Sequence, residues 1–383
     1  INFTLGGRYC SLLESIMMMK SYILTEKPCR SSRLRLIRSA FLLLLVNTLG
    51  ACSPQASEQE LLDRARQEAP VRILPIAAAT KGLGGETMTE MDALVRAGAV
   101  AFSDDGKTVM NGGTMRRVLQ YSKLVAKPII VHAEDRTLVG DGVLNEGPVS
   151  TRLGLPGNPG VAEVSLVARD LMLAELTGAH LHIAHVSTAG AVDLIREARA
   201  RGVHVTSEAT PHHLTLTDEA SLGYDTNTKV APPLRGAADR DAIGRGLAEG
   251  VIDAIATDHA PHAEHEKESD FRSAPPGMIG LETAFAVVSD LVRSGTLSPL
   301  ELVRRMSSEP ARIIGCPGGS LAEGAVADVA LLDPDAVWTY DPTKGYSKSR
   351  NSPWAGVELR GRVRATLVAG QLVYDVERGV LHP

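Results

Sequence analysis

The sequence predicts an α/β fold with parallel strands, and two observations support this class. From residue 71 onward, short β-branched runs alternate with longer segments of helical periodicity. Strands that alternate with helices form βαβ units, and near-continuous apolar runs are typical of parallel strands covered on both faces. The composition agrees, because 44% hydrophobic content with 36 glycines and only 4% aromatic residues favours tight helix–strand packing over an all-β binding module.

The predicted strands are short apolar runs, and the predicted helices lie between and after them. The strands are expected at 71–77, 99–103, 128–132, 179–185, 202–207 and 252–257. The helices are expected at 58–69, 87–97, 114–126, 161–177, 189–201, 238–249 and 281–294. A further helix begins after Ser298, because Pro299 suits its first turn and Glu301 completes a capping box.

The chain divides into three parts that differ in their sequence pattern. Residues 1–57 do not continue the pattern of the rest of the chain, and residues 58–318 are expected to form the α/β body. Residues 319–383 are expected to form a small β-domain, because short apolar strands are separated there by Gly, Asp and Pro. Three interpretations of the first part remain open. The run Phe41–Val46 follows a basic stretch and precedes an LGAC box ending at Cys52, which is the layout of an exported lipoprotein signal. It is also compatible with a buried strand or with a misjoined reading frame.

Charge and cysteine content exclude several classes of protein. The net charge is −5 and the basic residues beyond residue 40 are scattered, so no nucleic-acid surface is predicted. Cys316 is the only cysteine after residue 52, which argues against a disulfide scaffold and favours a reducing compartment. The apolar run near residue 41 is too short to cross a bilayer comfortably. We therefore expect a cytoplasmic protein, with the exported lipoprotein as the alternative.

Acidic and imidazole side chains lie at the carboxyl ends of five successive predicted strands. They are Asp104 and Asp105, His132 and Glu134, His182 and His185, Glu208 with His212 and His213, and Asp258 with His259 and His262. In a (β/α)₈ barrel all these ends face one mouth, where active sites lie. Imidazole and carboxylate ligands suit a divalent ion such as zinc, which offsets the burial of the carboxylates.

Each of these residues also has a simpler interpretation. A single histidine at a strand end is more often a hydrogen-bonded core residue, and Asp104-Asp105 before a glycine is an ordinary turn. His182 and His185 are three residues apart, so alternation allows at most one of them to face the barrel axis, and His185 is the better candidate. The joint pattern of Asp105, His132, His185 and Asp258 is what favours a metal site.

Ordered motifs carry a resemblance to a known family. The motifs are "AFSDDG", "VHAED", "LHIAHVSTAGAV", "TPHHL", "KVAPPLR", "ATDHAPH" and "PPGMIGLET", followed by "SKSRNSPWAGVELRGRV". Through them, residues 60–375 resemble the amidohydrolase superfamily and, within it, the dihydroorotases. The resemblance implies a (β/α)₈ TIM-type barrel, incomplete at the N-terminus, with a small C-terminal β-domain and one or two zinc ions.

The resemblance also implies roles for individual residues. Asp105 corresponds to the metal-bridging acid, His132 and His185 to ligands of the second metal, and Asp258 to a ligand of the first metal that also carries a proton. His259 has no implied role, and we expect only an orienting hydrogen bond from it.

The implied substrate contacts lie further along the chain and near its start. His262 corresponds to a substrate contact, and Pro276 and Gly277 correspond to backbone contacts of a substrate loop. Asn47 corresponds by placement to a substrate-binding asparagine. The family asparagine before Pro-Pro is Ala231 here, which weakens the contact that the resemblance implies.

The implied reaction is the reversible interconversion of N-carbamoyl-L-aspartate and L-dihydroorotate in pyrimidine biosynthesis, by a homodimer acting on a small-molecule substrate. The first histidine of the chain is His132, so the family's His-x-His pair does not occur before it. Two alternatives therefore remain: a non-catalytic subunit that supports aspartate carbamoyltransferase, and another cyclic amidase of the hydantoinase or allantoinase type.

Overall fold

The computed structural model describes residues 41–46 and 54–381, and its body is a curled parallel sheet. The first nine strands are β1 Phe41–Val46, β2 Arg72–Ala78, β3 Ala101–Ser103, β4 Ile129–Val131, β5 Leu144–Asn145, β6 Gly157–Asn158, β7 Leu181–Ile183, β8 Val205–Ala209 and β9 Ala254–Ile255. Seven of them form one sheet in the order β1-β2-β3-β4-β7-β8-β9, while β5 and β6 pair separately. All of these pairings are parallel, so the carboxyl ends of the seven strands lie along one edge, called here the mouth.

Helices follow most strands, as a βαβ architecture requires. They are α1 Pro54–Glu68, α2 Met91–Ala97, α3 Gly112–Leu124, α4 Arg136–Val139, α5 Pro148–Leu153, α6 Val161–Thr177, α7 Ala189–Ala200, α8 Pro211–Thr215, α9 Ala237–Glu249, α10 Glu264–Lys267, α11 Ala284–Val288, α12 Asp290–Arg293, α13 Pro299–Val303 and α14 Glu309–Ile314. A π-helical turn, Arg304–Ser308, joins α13 to α14. Short 3₁₀ turns lie at Lys81–Leu83, Asp218–Ser221, Thr226–Thr228 and Pro342–Lys344.

A four-stranded antiparallel sheet forms the C-terminal part. Its strands are β10 Val329–Thr339, β11 Glu358–Val368, β12 Gln371–Asp375 and β13 Gly379–Val380, paired in chain order. The predicted fold class is therefore confirmed as a parallel α/β body with a small β-sheet after it. The boundaries between the three parts, at 57/58 and 318/319, remain a prediction.

The two faces of the parallel sheet differ in what covers them. The outer face is covered by helices α3, α6, α7 and α9, and its buried residues include Phe102, Ile129, Leu181, Val205 and Ile255. Together with the apolar helix faces, these residues form the largest core cluster of the described chain. Full burial of each large aliphatic side chain contributes about 1.5–3 kcal/mol, so this layer holds the strands in place.

The inner face combines apolar and polar side chains. Ile76, Ala101, Ile130 and Ala254 pack there, and Ile313 of α14 joins the same cluster. Because β-strands alternate their side chains, the residues two positions further along each strand point to the same side and reach the mouth. Polar side chains just beyond the strand ends are thereby directed into one shared space.

The predicted elements correspond closely to the observed ones, with one broken helix. The helix expected at 161–177 is α6 with the same bounds, but the helix expected at 281–294 is divided into α11 and α12. Ser289 lies between them and donates its hydroxyl hydrogen to the carbonyl of Phe285 at 2.5 Å, a back-bond that bends helices. The capping box at Ser298 is confirmed, because Ser298 Oγ and the Glu301 carboxylate exchange hydrogen bonds with each other's backbone N–H.

The N-terminal apolar run is a strand. Phe41–Val46 pairs in parallel with β2 from Arg72 to Ala77, so this run forms a strand, and its burial remains a prediction. Asn47 and the LGAC box at residues 49–52 lie outside the described residues. Within the described chain, none of the helices has the length and apolar character needed to cross a bilayer.

Candidate metal centre and active site

Three side chains converge at the mouth from three neighbouring strands. Asp105 follows β3, His132 follows β4 and His185 follows β7. His132 Nδ1 lies 3.0 Å from His185 Nε2 and 3.3 Å from Asp105 Oδ1, and His185 Nε2 lies 3.4 Å from the same oxygen. These three residues, called here the triad, are the group that could hold a metal ion in the described part of the chain.

The triad has the chemistry and the spacing of a metal site. Two imidazoles and one carboxylate form a donor set that zinc favours. Ligands about 2.0 Å from a tetrahedral ion are separated from each other by about 3.3 Å, which agrees with the triangle formed by the three donor atoms. All three side chains are largely buried, so an ion held there would be shielded from bulk water. The residues present therefore fit a divalent metal.

His185 reaches the triad because the chain turns after β7. The strand ends at Ile183, and His185 has a left-handed φ of 35° that breaks the alternation of the strand. His182 pairs in register with Thr206 on the inner face, bonding Thr206 Oγ1 at 2.8 Å and Glu208 Oε2 at 3.2 Å. The expectation that only one of the two histidines faces inward is therefore wrong, although the choice of His185 for the cluster agrees with the geometry.

The two adjacent aspartates have different environments. Asp104 accepts hydrogen bonds from both the backbone N–H and the hydroxyl of Thr80, so it fastens the loop after β2. Burial raises the pKa of Asp104, while those hydrogen bonds oppose the rise. The backbone N–H of Asp105 donates to Ser103 Oγ at 2.9 Å, and its carboxylate belongs to the triad. The structure thus separates a structural acid from a candidate ligand.

Glu134 orients His132, and the sequence had given it no role. Its Oε2 lies 3.3 Å from His132 Nε2, and its Oε1 accepts from Asn158 Nδ2 at 2.7 Å. Burial raises the pKa of Glu134, but the His132 contact, Asn158 and Arg235 together outweigh burial and lower it to about 2. The carboxylate therefore accepts the Nε2 proton, which leaves the Nδ1 lone pair of His132 directed at the triad. The available signal was the spacing of Glu134 two residues after His132.

Arg235 is a second residue that the sequence analysis did not assign. Its buried guanidinium donates to Asn158 O at 2.7 Å, to Asn145 Oδ1 at 3.2 Å and to Ser187 Oγ at 3.2 Å. Burial raises the pKa of Glu163, and the charge of Arg235 opposes that rise without reversing it, whereas at Glu134 the same charge helps to lower the pKa. Arg235 thereby ties the β5–β6 pair to the mouth. Its neighbours come from distant segments, so no local pattern indicated it.

The strand end after β9 carries the remaining acid. Asp258 is buried and has a left-handed φ of 47°. Within the described chain it is not a member of the triad. His259 accepts the backbone N–H groups of Gly280 and Leu281 at Nδ1, both at 3.2 Å, and burial holds its pKa well below the ordinary value. His259 is thus a neutral ring that orients the chain, as expected.

The three predicted substrate residues beyond β9 lie together. His262 Nε2 donates to the carbonyl of Pro276 at 3.0 Å, which fixes the proton on that nitrogen. A Cβ on Gly277 would lie 2.9 Å from the same nitrogen, so the glycine permits this close approach. The N–H of Gly277 donates to Lys229 O at 2.7 Å, whereas the Pro276 carbonyl can accept a second hydrogen bond. Their contact with substrate remains a prediction.

Known proteins are similar to this chain in sequence. The Amidohydrolase family model matches residues 25–373. A dihydroorotase from Pelotomaculum thermopropionicum is 55% identical over 304 residues, which cover 79% of this chain and 71% of that protein. A dihydroorotase from Anaeromyxobacter dehalogenans is 52% identical over 317 residues, which cover 82% of this chain and 73% of that protein.

Solved structures that are similar to this chain include an L-hydantoinase and a dihydropyrimidinase. The L-hydantoinase (dihydropyrimidinase) from Arthrobacter aurescens is 25% identical with a TM-score of 0.78, and the match covers 90% of this chain and 78% of that one. The dihydropyrimidinase from Brevibacillus agri has a TM-score of 0.75 at 22% identity over 89% of this chain and 78% of that one, and it supports the fold alone. With the triad at the mouth, the family match and the two dihydroorotase relatives, the chain belongs to the amidohydrolase family and, within it, to the dihydroorotases.

Proposed function

We propose that this chain interconverts N-carbamoyl-L-aspartate and L-dihydroorotate by closing and opening a cyclic amide. The observation that carries this proposal is the convergence of Asp105, His132 and His185 at the edge of the sheet where Asp258 also emerges. The dihydroorotase relatives, about half identical over most of the chain, supply the substrate class. A small polar substrate suits a site built from buried acids and imidazoles.

Zinc is the ion that we assign to this site. Asp105, His132 and His185 would hold one ion, and Asp258 would contribute to a second if two are bound. When bound, zinc supplies Lewis-acid polarisation of the amide carbonyl and the activation of water. Glu134 keeps His132 in the tautomer that presents Nδ1 as a ligand.

The protein's own residues then have separate tasks. In the hydrolytic direction, water adds to the amide carbonyl carbon, the C–N bond breaks, and the ring nitrogen takes a proton. Asp258 is the group that we assign to accept the proton from water and deliver it to that nitrogen, and its place in a buried strand end suits general acid–base catalysis. His262, Pro276 and Gly277 bind the substrate in this proposal. Asn47 is a further proposed contact, and it lies outside the described residues.

One observation favours a second candidate function. The sequence given has no histidine before His132, so the His-x-His pair of the family is not among these residues. A non-catalytic subunit that supports aspartate carbamoyltransferase would need no such pair. The preserved triad favours the enzyme, because a supporting subunit would not require converging ligands. We further propose that the protein is cytoplasmic and forms a homodimer, which light scattering after gel filtration would test.

An assay with the zinc-loaded protein tests the main proposal. We expect dihydroorotate hydrolysis that a chelator abolishes and added zinc restores. Replacing a general acid–base group typically lowers the rate by about 10²–10⁴-fold, so Asp258→Asn should fall in that range, whereas the exposed Asp241→Asn should match the parent. Hydantoin and allantoin in place of dihydroorotate would reveal another cyclic amidase. A zinc-loaded parent that hydrolyses none of these substrates would overturn the enzyme proposal.

A further inference from the structure

The connection between β9 and α11, residues 256–283, carries the proposed substrate contacts, and side chains from elsewhere hold it in one conformation. We propose that Asn351 and Lys267 are positioning residues that fix the backbone of Pro276 and Gly277 against His262 before substrate binds. The inference deepens the function proposed above and rests on it.

Asn351 joins two stretches of this connection with a single side chain. Its Nδ2 donates to the carbonyls of Ala260 at 2.9 Å and Gly277 at 3.0 Å, and its Oδ1 accepts the backbone N–H of His262 at 3.3 Å. Its own carbonyl accepts the N–H of Ile279 at 2.9 Å. The residue is 4% exposed, so water does not compete for these bonds. Asn351 therefore couples the end of β9 to the loop that returns beside it.

Lys267 holds the same loop with a second set of hydrogen bonds. Its Nζ donates to the carbonyls of Pro275 at 2.9 Å and Gly277 at 3.0 Å, and the side chain is buried. Burial and, secondly, the charge of Lys229 lower the pKa of Lys267 to about 8, so the ammonium form still predominates at neutral pH. A charged donor makes stronger hydrogen bonds than a neutral one, and both hydrogen bonds of the Lys267 ammonium go to carbonyls that flank Pro276.

The position of Gly277 explains why such fixing matters. Its φ of +139° and its contact with Ala260, whose Cβ would lie 2.7 Å from an added Cβ, show that the loop lies directly on the strand end. The Gly277 carbonyl accepts from both Lys267 and Asn351, and its N–H donates to the Lys229 carbonyl. A small movement of this peptide would shift the Pro276 carbonyl away from His262. The buried donors therefore preorganise a binding surface rather than contact the reacting atoms.

Two variants remove these donors with little change of shape. Lys267→Met keeps the apolar stem but lacks the terminal ammonium, and Asn351→Asp keeps the planar outline but replaces the donor Nδ2 with an acceptor. Lys267→Arg retains donors and serves as the conservative rescue. The exposed Lys344→Met is the matched control, because its side chain is 83% exposed.

Three readouts on the zinc-loaded full chain separate positioning from a merely structural role. We expect hydrogen–deuterium exchange within residues 268–278 to accelerate by about tenfold or more in Lys267→Met and Asn351→Asp, since each loses about two hydrogen bonds. We expect KM for dihydroorotate to rise by about tenfold with kcat changed by less than about twofold, and zinc content to equal that of the parent. Lys267→Arg should fall between parent and Lys267→Met.

Unchanged exchange and unchanged KM in both variants would overturn the inference. A fall in kcat at constant KM would also overturn it, because the residues would then act on the chemical step. If the zinc-loaded parent hydrolyses no dihydroorotate, the proposed function fails, and the exchange readout alone decides whether Lys267 and Asn351 hold the loop. Should one variant fail to fold, the other still supplies the test.

Discussion

The two halves of the mouth are built in different ways. In the half formed by β3, β4 and β7, three side-chain donors from separate strands meet within 3.4 Å of one another. In the half formed by β9 and the connection to α11, backbone groups are presented, and buried side chains such as Asn351 and Lys267 hold them in place. The first half offers a possible metal site, and we propose that the second half recognises the substrate.

The difference predicts that the halves can be damaged separately. Loss of a triad ligand should remove metal without loosening the β9–α11 connection. Loss of a loop contact should weaken substrate binding without releasing metal. The first three of the following changes test the two halves, the fourth tests the layer beneath them, and all are ordered by expected effect.

Replacing a triad ligand should have the largest effect. His185→Asn should lower the zinc affinity by more than about 100-fold. Removing only a group that hydrogen-bonds to a metal ligand already lowers metal affinity by about 10–100-fold, and His185 is itself a proposed ligand. Competition with a chromogenic chelator measures this affinity, and dihydroorotate hydrolysis should disappear with the metal. Exchange in residues 268–278 should stay at the parent value. His204→Gln, an exposed histidine away from the mouth, is the control, and equal zinc affinity in both variants would contradict the assignment.

Glu134→Gln should have the next largest effect. The amide cannot accept the His132 proton as a carboxylate does, so the tautomer that directs Nδ1 at the triad loses its support. Zinc affinity should fall by about 10–100-fold, measured by the same competition. Glu146→Gln, on the exposed face of the neighbouring loop, should leave the affinity unchanged. An unaffected Glu134→Gln variant would show that His132 needs no orienting partner.

Gly277→Ala tests the recognition half. The added methyl group would approach Ala260 and His262 to within 3 Å at a backbone φ of +139°. We expect a loss of about 1–3 kcal/mol in the free energy of unfolding, a raised KM and unchanged zinc affinity. Urea unfolding and steady-state kinetics measure these. Gly223→Ala, where nothing lies within 4 Å of the added atom, is the control. A variant that loses zinc instead would show that the two halves are not separable.

Acidification should have the smallest effect, and it acts on the layer beneath the mouth. Burial lowers the pKa of His182 to about 4, so the folded state keeps this ring neutral while the unfolded chain takes up a proton near its ordinary pKa. The contribution of His182 to the free energy of unfolding is therefore fully present above the pKa of the residue in the unfolded chain, and it is lost as the pH falls towards 4. Between about pH 7.5 and about pH 5.5, the protonation of His182 in the unfolded chain lowers the free energy of unfolding by about 1 kcal/mol. His182→Gln should show a shallower pH dependence in urea unfolding, and an equal slope would contradict the assignment.

Much of the fold was predictable from periodicity, and so was the chemical half of the site. The strands lie where apolar runs predicted them, because parallel strands covered on both faces leave an uninterrupted apolar signal. The carboxyl-end rule then identified Asp105, His132 and His185 as neighbours, since parallel strands bring their ends to one edge. Alternation failed at His185, because that residue lies beyond the end of β7 and has a left-handed φ.

The recognition half was less predictable for a physical reason. Asn351 contacts Ala260 across 91 residues of sequence, and Lys267 binds backbone carbonyls that carry no residue-specific signal. Glu134 was visible as a strand-end acid, but its role depends on which nitrogen of His132 faces it. Such contacts join residues that are far apart in sequence or depend on the tertiary structure, so a local sequence pattern does not predict them.

We propose above that Asp105, His132 and His185 share one divalent ion. Anomalous diffraction at the zinc edge, from crystals grown with saturating zinc, tests it most directly. We expect an anomalous peak that lies about 2.0–2.2 Å from each of Asp105 Oδ1, His132 Nδ1 and His185 Nε2. The absence of a peak between these three atoms, with zinc bound elsewhere in the same crystal, would contradict it.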